Sequence, residues 1–184
     1  MGDKNNRHFL AFLADFAGPV LEIGSRTDDT PTASFRGLYP DYTGVDIKPG
    51  SGVDVVADLV QNPLGGRYAL IICCSVLEHV ADPWAMARNI TAMLEPGGRV
   101  YVCVPWAWRY HAYPDDYWRF SWSGIKRLFP EIEWEEPMFS TTRDGEFFPA
   151  KPDADNNMAT VLEGRKFIPY LMLHMIGTWT ETKK

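Results

Sequence analysis

Cysteine is scarce in this chain. The three present, Cys73, Cys74 and Cys103, lie in apolar runs and make no metal-binding or disulfide spacing, so they read as small buried hydrophobes. Basic residues are outnumbered, 18 Lys and Arg against 24 Asp and Glu, for a net charge of −6, and no basic stripe occurs. Binding to a nucleic-acid backbone runs on clustered Lys and Arg, so nucleic acid is not the expected partner. No apolar run is long enough to span a bilayer, and Met1 to His8 lacks the architecture of a signal peptide. The expected setting is therefore cytoplasmic, with no membrane partner. Glycine is sparse where dinucleotide-binding loops need it: Gly24 is followed by Ser25-Arg26-Thr27-Asp28-Asp29, and the next glycine is Gly37. A nicotinamide or flavin fingerprint of three spaced glycines is absent. The carboxylates of Asp153-Ala-Asp-Asn-Asn157 match no calcium loop, and no metal is assigned.

What is present points to one core. With 184 residues and 46% hydrophobic content, the chain suits a single domain, 1–184. His8 to Ala17 is apolar at helical spacing and is stopped by Gly18-Pro19. Val20, Leu21 and Ile23 read as a short buried strand, Thr30-Pro31 as the start of a short helix through Leu38, and Tyr42 to Ile47 as a second strand. Val53 to Ala57 is a third strand. Tyr68 to Cys74, apolar throughout, suits a strand covered on both faces. Asp82-Pro83 begins the clearest helix, which carries Trp84, Met86, Ala87, Ile90 and Leu94 on one face and is expected to end at Gly97-Gly98. Val100 to Val104 is a fifth strand, Ser121 to Phe129 a helix and Ile132 to Phe139 a strand. Repeated strand-helix-strand units imply right-handed crossovers and a doubly wound sheet.

The strand ends carry the chemistry. Gly24 closes the first strand, where a ligand can approach bare backbone, and Asp46 closes the second, where a carboxylate can accept both hydroxyls of a ribose. The two ends lie side by side in a parallel sheet. From residue 18 to about 130 the chain resembles the class I S-adenosylmethionine-dependent methyltransferases. The resemblance is carried by Leu21-Glu-Ile-Gly24, Gly44-Val-Asp-Ile47, Asp54-Val-Val-Ala-Asp58, Tyr68 to Cys74, Ser75-Val-Leu-Glu-His-Val80 and Leu94 to Val104, in that order. It implies an α/β fold, a Rossmann-like, doubly wound, mostly parallel sheet in three α/β/α layers, with S-adenosylmethionine as cofactor and S-adenosylhomocysteine as product. It also implies roles: Glu22, Gly24, Ser25 and Arg26 at the amino-acid end of the cofactor, Asp46 on the ribose, and Ile47 on the adenine. Asp58 would reach the adenine amino group, while Cys74 and Ser75 line the adenosine and methionine side. On the residues alone Gly24 can equally serve a tight turn, Asp46 and Asp58 caps, and Arg26 a salt bridge to Asp28 or Asp29.

Residues 105–122, Pro105 to Trp122, hold four of the seven tryptophans and leave the carboxyl end of the fifth strand, where a second substrate should sit. Trp106, Trp108, Tyr110, Asp116 and Arg119 are candidate acceptor contacts for a small-molecule methyl acceptor. In the alternative the rings pack the loop onto the core and Asp116 pairs with Arg119. Candidate catalytic groups are His111 and Tyr113 on the loop and His79 beside Glu78 just after the fourth strand. A catalytically silent cofactor-binding module that regulates a partner is the second reading. Residues 145–184 read as a C-terminal extension. Its apolar run Phe167 to Ile176 is a helix packed on the sheet, a lid, or part of a homodimer interface.

Overall fold

In the computed structural model, residues 4–11, 16–27, 35–150 and 170–180 are described. Among the described residues, three helices, α1 (Lys4–Ala11), α2 (Pro83–Met93) and α3 (Trp122–Leu128), accompany nine strands in one sheet. The first five strands are β1 (Val20–Ile23), β2 (Tyr42–Asp46), β3 (Val55–Val56), β4 (Tyr68–Cys74) and β5 (Leu94–Ala107). They run parallel in the order β3-β2-β1-β4-β5, so their carboxyl ends share one edge. The chain winds one way from β1 to β2 and returns to the other side of β1 with β4. That switch opens a crevice between the ends of β1 and β4.

An antiparallel half completes the sheet. Beyond β5 lie β9 (Leu171–Trp179), β7 (Met138–Ser140) and β8 (Phe147–Pro149), and β6 (Ile132–Trp134) also pairs with β9. From Leu171 onward the apolar C-terminal run is therefore neither a helix nor a lid; Phe167 to Pro169 lie outside the described residues. Leu171–Trp179 is an interior strand, bonded to β5 on one side and to β6 and β7 on the other, which also removes it from any dimer edge. A strand buried on both faces shows the same unbroken apolarity as a buried helix, which is why the pattern read as a helix and a strand was not among the expectations.

Strand alternation sorts the core into two layers. Leu21, Ile23, Ile71, Cys73, Val102 and Leu173 face α2 and α3, meeting Met86, Ile90, Ile125 and Leu128. Val20, Leu70, Ile72, Tyr101, Cys103 and Met172 face the other way, onto Leu10 of α1, Phe35 and Tyr39.

Other boundaries differ from expectation for local reasons. Helix α1 begins at Lys4, because buried Asn5 ties it to the antiparallel half through Thr141 O and Arg143 O. The Thr30-Pro31 helix start and Asp153 to Asn157 fall outside the described residues; Arg36–Leu38 form a 3-10 turn. Asp82 caps α2 by accepting from the Ala85 amide, but the helix ends at Met93. Gly97 and Gly98 do not stop it: they lie within β5, where pairing with β4 jumps from Tyr68↔Leu94 to Leu70↔Arg99. Gly97 takes φ +77°, the left-handed region such a bulge requires. Glu135-Glu-Pro137 divides the expected strand Ile132 to Phe139 into β6 and β7, and the third strand is reduced to Val55–Val56.

Candidate functional site at the carboxyl edge of the parallel strands

The exits of β1 and β2 are laced together by backbone. The amides of Gly24 and Ser25 both donate to the Val45 carbonyl, at 2.9 and 3.1 Å. Gly24 adopts φ +74°, and a Cβ there would stand 2.5 Å from Cγ2 of Val76, on the far side of the crevice. A side chain is excluded twice over, by conformation and by space. Asp46 follows at the end of β2: Oδ2 accepts from the Arg26 amide at 3.4 Å and Oδ1 from the Lys48 amide at 3.0 Å. Its carboxylate is thus held at the strand end beside Gly24. Next to it Ile47 is 60% exposed, an apolar surface ready for a flat ring. Ser25 is buried, and its Oγ has no partner among the described residues. Bare backbone, an aimed carboxylate, an open apolar side chain and an unsatisfied hydroxyl fit an adenosine-bearing ligand.

Three expected cofactor residues sit differently. Glu22 turns to the α1 face, where Tyr42 Oη and the Phe35 amide donate to its carboxylate. Asp58 is exposed and accepts the Val60 amide at 2.9 Å, capping its own turn. Cys74 ends β4 opposite Cys103, and its thiol is pushed up by burial and the Cys103 thiol. Ser75, whose amide donates to Cys103 O, takes φ +53°, a conformation costing a non-glycine residue on the order of 1 kcal/mol. Such strain concentrates at sites of function.

Burial pushes Glu22 up to about 7, outweighing the bonds from Tyr42 and Phe35. The unfolded chain ionises near an ordinary Glu value of about 4.3. Between those values the native state holds a proton that the unfolded state has lost, so stability falls as pH rises and then levels off. Glu22→Gln should remove this slope, worth about 4 kcal/mol at most. Urea midpoints at pH 5 and pH 8 check it: the wild type should lose more than the variant, and parallel losses would refute the assignment.

The loop after β5 folds back over the turn Leu77–His79. The Tyr117 and Trp118 amides donate to Glu78 O, and Trp118 Nε1 to Val80 O at 2.8 Å. Asp116 and Arg119 pair with each other, Nη2 to Oδ2 at 2.8 Å, while Arg119 also donates to the carbonyls of Trp108 and Arg109. Hydrogen bonds from this guanidinium hold the Asp116 carboxyl well below the usual range. Both residues thus close the loop, the alternative considered from sequence. Trp106 packs edge-on against Phe139, and Trp108 lies 4.7 Å from the Tyr170 ring. Tyr110 and Tyr113 are 73% and 72% exposed.

Loop closure assembles the candidate catalytic groups. The His79 and His111 rings are 4.9 Å apart, with Tyr113 6.0 Å from one and 6.3 Å from the other. Burial pushes His79 down, against its bond to Asp115 O. Glu78, which follows the fourth strand as closely as His79 and was a candidate to face the methyl group without a catalytic role assigned to it, is buried beside His79, and burial pushes it up to about 8.

The model of the methyltransferase domain matches residues 3–150. Among curated proteins, the ubiquinone biosynthesis O-methyltransferase of Escherichia coli O157:H7 (strain EC4115) is 28% identical over 112 residues, covering 50% of this chain and 47% of that one. The protein of the same description from Marinobacter nauticus is 38% identical over 48 residues, 26% of this chain and 20% of its own. The chain thus spans less than half the length of these relatives. Among solved structures, N-methyltransferase NodS from Bradyrhizobium japonicum WM9, in complex with S-adenosylhomocysteine, superposes with a TM-score of 0.59 at 16% identity, covering 96% of this chain and 87% of NodS. The 1,6-didemethyltoxoflavin-N1-methyltransferase of Burkholderia thailandensis gives 0.64 at 15% identity, covering 95% and 76%. At these identities the structural likeness concerns the fold.

Proposed function

This chain belongs to the methyltransferase-domain family, and on that premise we propose that it binds S-adenosylmethionine at the crevice between β1 and β4 and methylates a small-molecule acceptor held under the loop 105–122. The carrying observation is the Asp46 carboxylate, fixed by the amides of Arg26 and Lys48 beside the bare backbone of Gly24. Asp46 accepts the two ribose hydroxyls, Ile47 covers the adenine, and the Ser25 hydroxyl with the surrounding amides meets the amino-acid end. When bound, the cofactor supplies a methyl group made electrophilic by a sulfonium. The chain then has to position an acceptor in line and exclude water. Trp108 and Tyr113 supply walls for a planar acceptor, and His79 or His111 takes a proton where the acceptor must lose one. Two relatives whose names specify O- and N-methylation leave the acceptor atom as the next quantity to measure.

Calorimetric titration with S-adenosylmethionine and S-adenosylhomocysteine tests the cofactor site. Asp46→Ala should weaken both by on the order of 1 to 3 kcal/mol, the scale of hydrogen bonds to a charged group. Unchanged affinity would remove Asp46 from the ribose site. Release of S-adenosylhomocysteine on adding candidate acceptors then separates an enzyme from a silent binding module.

A further inference from the structure

The Glu78 carboxylate is nearly fully buried, its side chain 1% exposed, and neither oxygen has a hydrogen-bond partner among the described residues. Native proteins rarely leave such a group unsatisfied, and an unpaired buried carboxylate points to a missing cationic partner. Two imidazoles flank it. His79 Nε2 lies 3.9 Å from Glu78 Oε1, while Nδ1 of the same ring is 2.6 Å from the Asp115 carbonyl. A carbonyl only accepts, so Nδ1 carries the proton and Nε2 presents its lone pair toward Glu78. His111 repeats the arrangement, with Nδ1 3.2 Å from both the Asp116 carboxylate and the Arg109 carbonyl. Its proton is directed to those acceptors, which leaves Nε2 bare. An imidazole whose Nδ1–H is committed to a carboxylate or carbonyl has the outer-sphere support of a metal ligand.

We propose that Glu78, His79 and His111 bind one divalent transition-metal ion, with Asp115 O, Asp116 and Arg109 O as the groups that orient the two histidines. One donor atom from each of the three already lies within 4.8 Å of the others. Around a tetrahedral ion at about 2.1 Å, donors stand about 3.4 Å apart, so closure asks for side-chain shifts of about 1 Å. One carboxylate with two imidazoles favours zinc, cobalt or iron(II) over magnesium or calcium. Three protein donors also leave a coordination position open on the side of the acceptor loop.

The full chain, stripped with chelator, is titrated with Co²⁺ and Zn²⁺, followed by calorimetry and by the visible d–d bands of cobalt. One saturable equivalent is expected, with cobalt bands of low coordination number that added Zn²⁺ abolishes. Glu78→Gln, which keeps the buried volume, and His111→Ala, on the loop, should each weaken binding at least tenfold. Asp116→Asn, which keeps an oxygen acceptor for His111 and for Arg119 and touches none of the three donor atoms, should shift affinity less while retaining the cobalt spectrum. Circular dichroism checks that each variant is folded. Absence of a saturable site in the wild type, or equal affinity in folded Glu78→Gln and His111→Ala, would overturn the proposal. Because the readout is metal binding itself, the outcome is independent of whether S-adenosylmethionine binds.

Discussion

Gly44→Ala is expected to cost about 3 kcal/mol of stability and to remove most of the affinity for S-adenosylmethionine. Gly44 sits in the middle of β2, paired with Glu22, and its amide donates to Asp54 Oδ2 at 2.8 Å. A Cβ there would lie 2.2 Å from the Gly52 carbonyl oxygen and 2.7 Å from Ser25 Oγ. Ordinary contact needs about 3.5 Å, and the nearer obstacle is backbone, so no rotamer change can relieve it. Gly52 has no room to yield: it takes φ +86°, and its own Cβ position is 2.5 Å from the Ser25 carbonyl. The turn Gly50 to Gly52 and the β1 exit would have to part, and that exit carries Ser25 and the Arg26 amide that aims Asp46. Gly37→Ala is the control, since nothing lies within 4 Å of its Cβ position. Denaturant midpoints and cofactor titration decide it; a variant as stable and as tight-binding as Gly37→Ala would refute the close-contact argument.

His174→Ala should destabilise by about 3 to 5 kcal/mol. His174 lies in β9, fully buried, with Nδ1 2.6 Å from Tyr101 Oη and Nε2 2.6 Å from Ser140 Oγ. Its ring stacks 5.5 Å from Phe9 and meets Phe147 edge-on at 5.5 Å, so one side chain joins α1, β5, β7, β8 and β9. Truncation leaves a cavity and removes the ring nitrogen that bonds the Ser140 hydroxyl, while Tyr101 retains its bond to Asn6 Oδ1 at 3.1 Å. Thermal unfolding should show a melting temperature lowered by on the order of 10 °C. A loss of only a degree or two would mean that the antiparallel half is held by its apolar contacts alone.

The parallel half of the fold was legible because β4 is an unbroken apolar run, β1, β2 and β5 carry short ones, and three of these strands lead to a residue that marks a strand end, Gly24, Asp46 or Ser75. The antiparallel half was not. Its identity depends on pairings between distant segments, Val102 with Met175 and Glu133 with Thr178, and local pattern carries no trace of them. Gly97-Gly98 illustrates the same limit, since a glycine pair signals helix end and strand bulge equally well.

At the site, Gly24 and Asp46 stand where the sequence pattern placed them, because strand ends in a parallel sheet fix their own neighbours. Glu22 could not be placed that way. Its side chain points to the face opposite Leu21 and Ile23, and only the Tyr42 and Phe35 contacts reveal what occupies it. The grouping of Glu78, His79 and His111 was hidden for another reason. It exists because the Asp116–Arg119 pair bends the loop back over the end of β4, and a salt bridge between residues three apart looks locally like any exposed pair.

The interior place of β9 has a kinetic side. Segments β6 and β7 precede β9 in the chain, yet both depend on it as a bonding partner. They must wait, as unmatched edges, while a distant segment searches for β5, whereas β1, β4 and α2 can already bury their apolar faces against one another. Long-range pairing of this kind is what makes folding slow and leaves sticky intermediates. Topology thus favours an order of assembly: the half that bears Gly24 and Asp46 needs no late arrival, and the antiparallel half is completed by one.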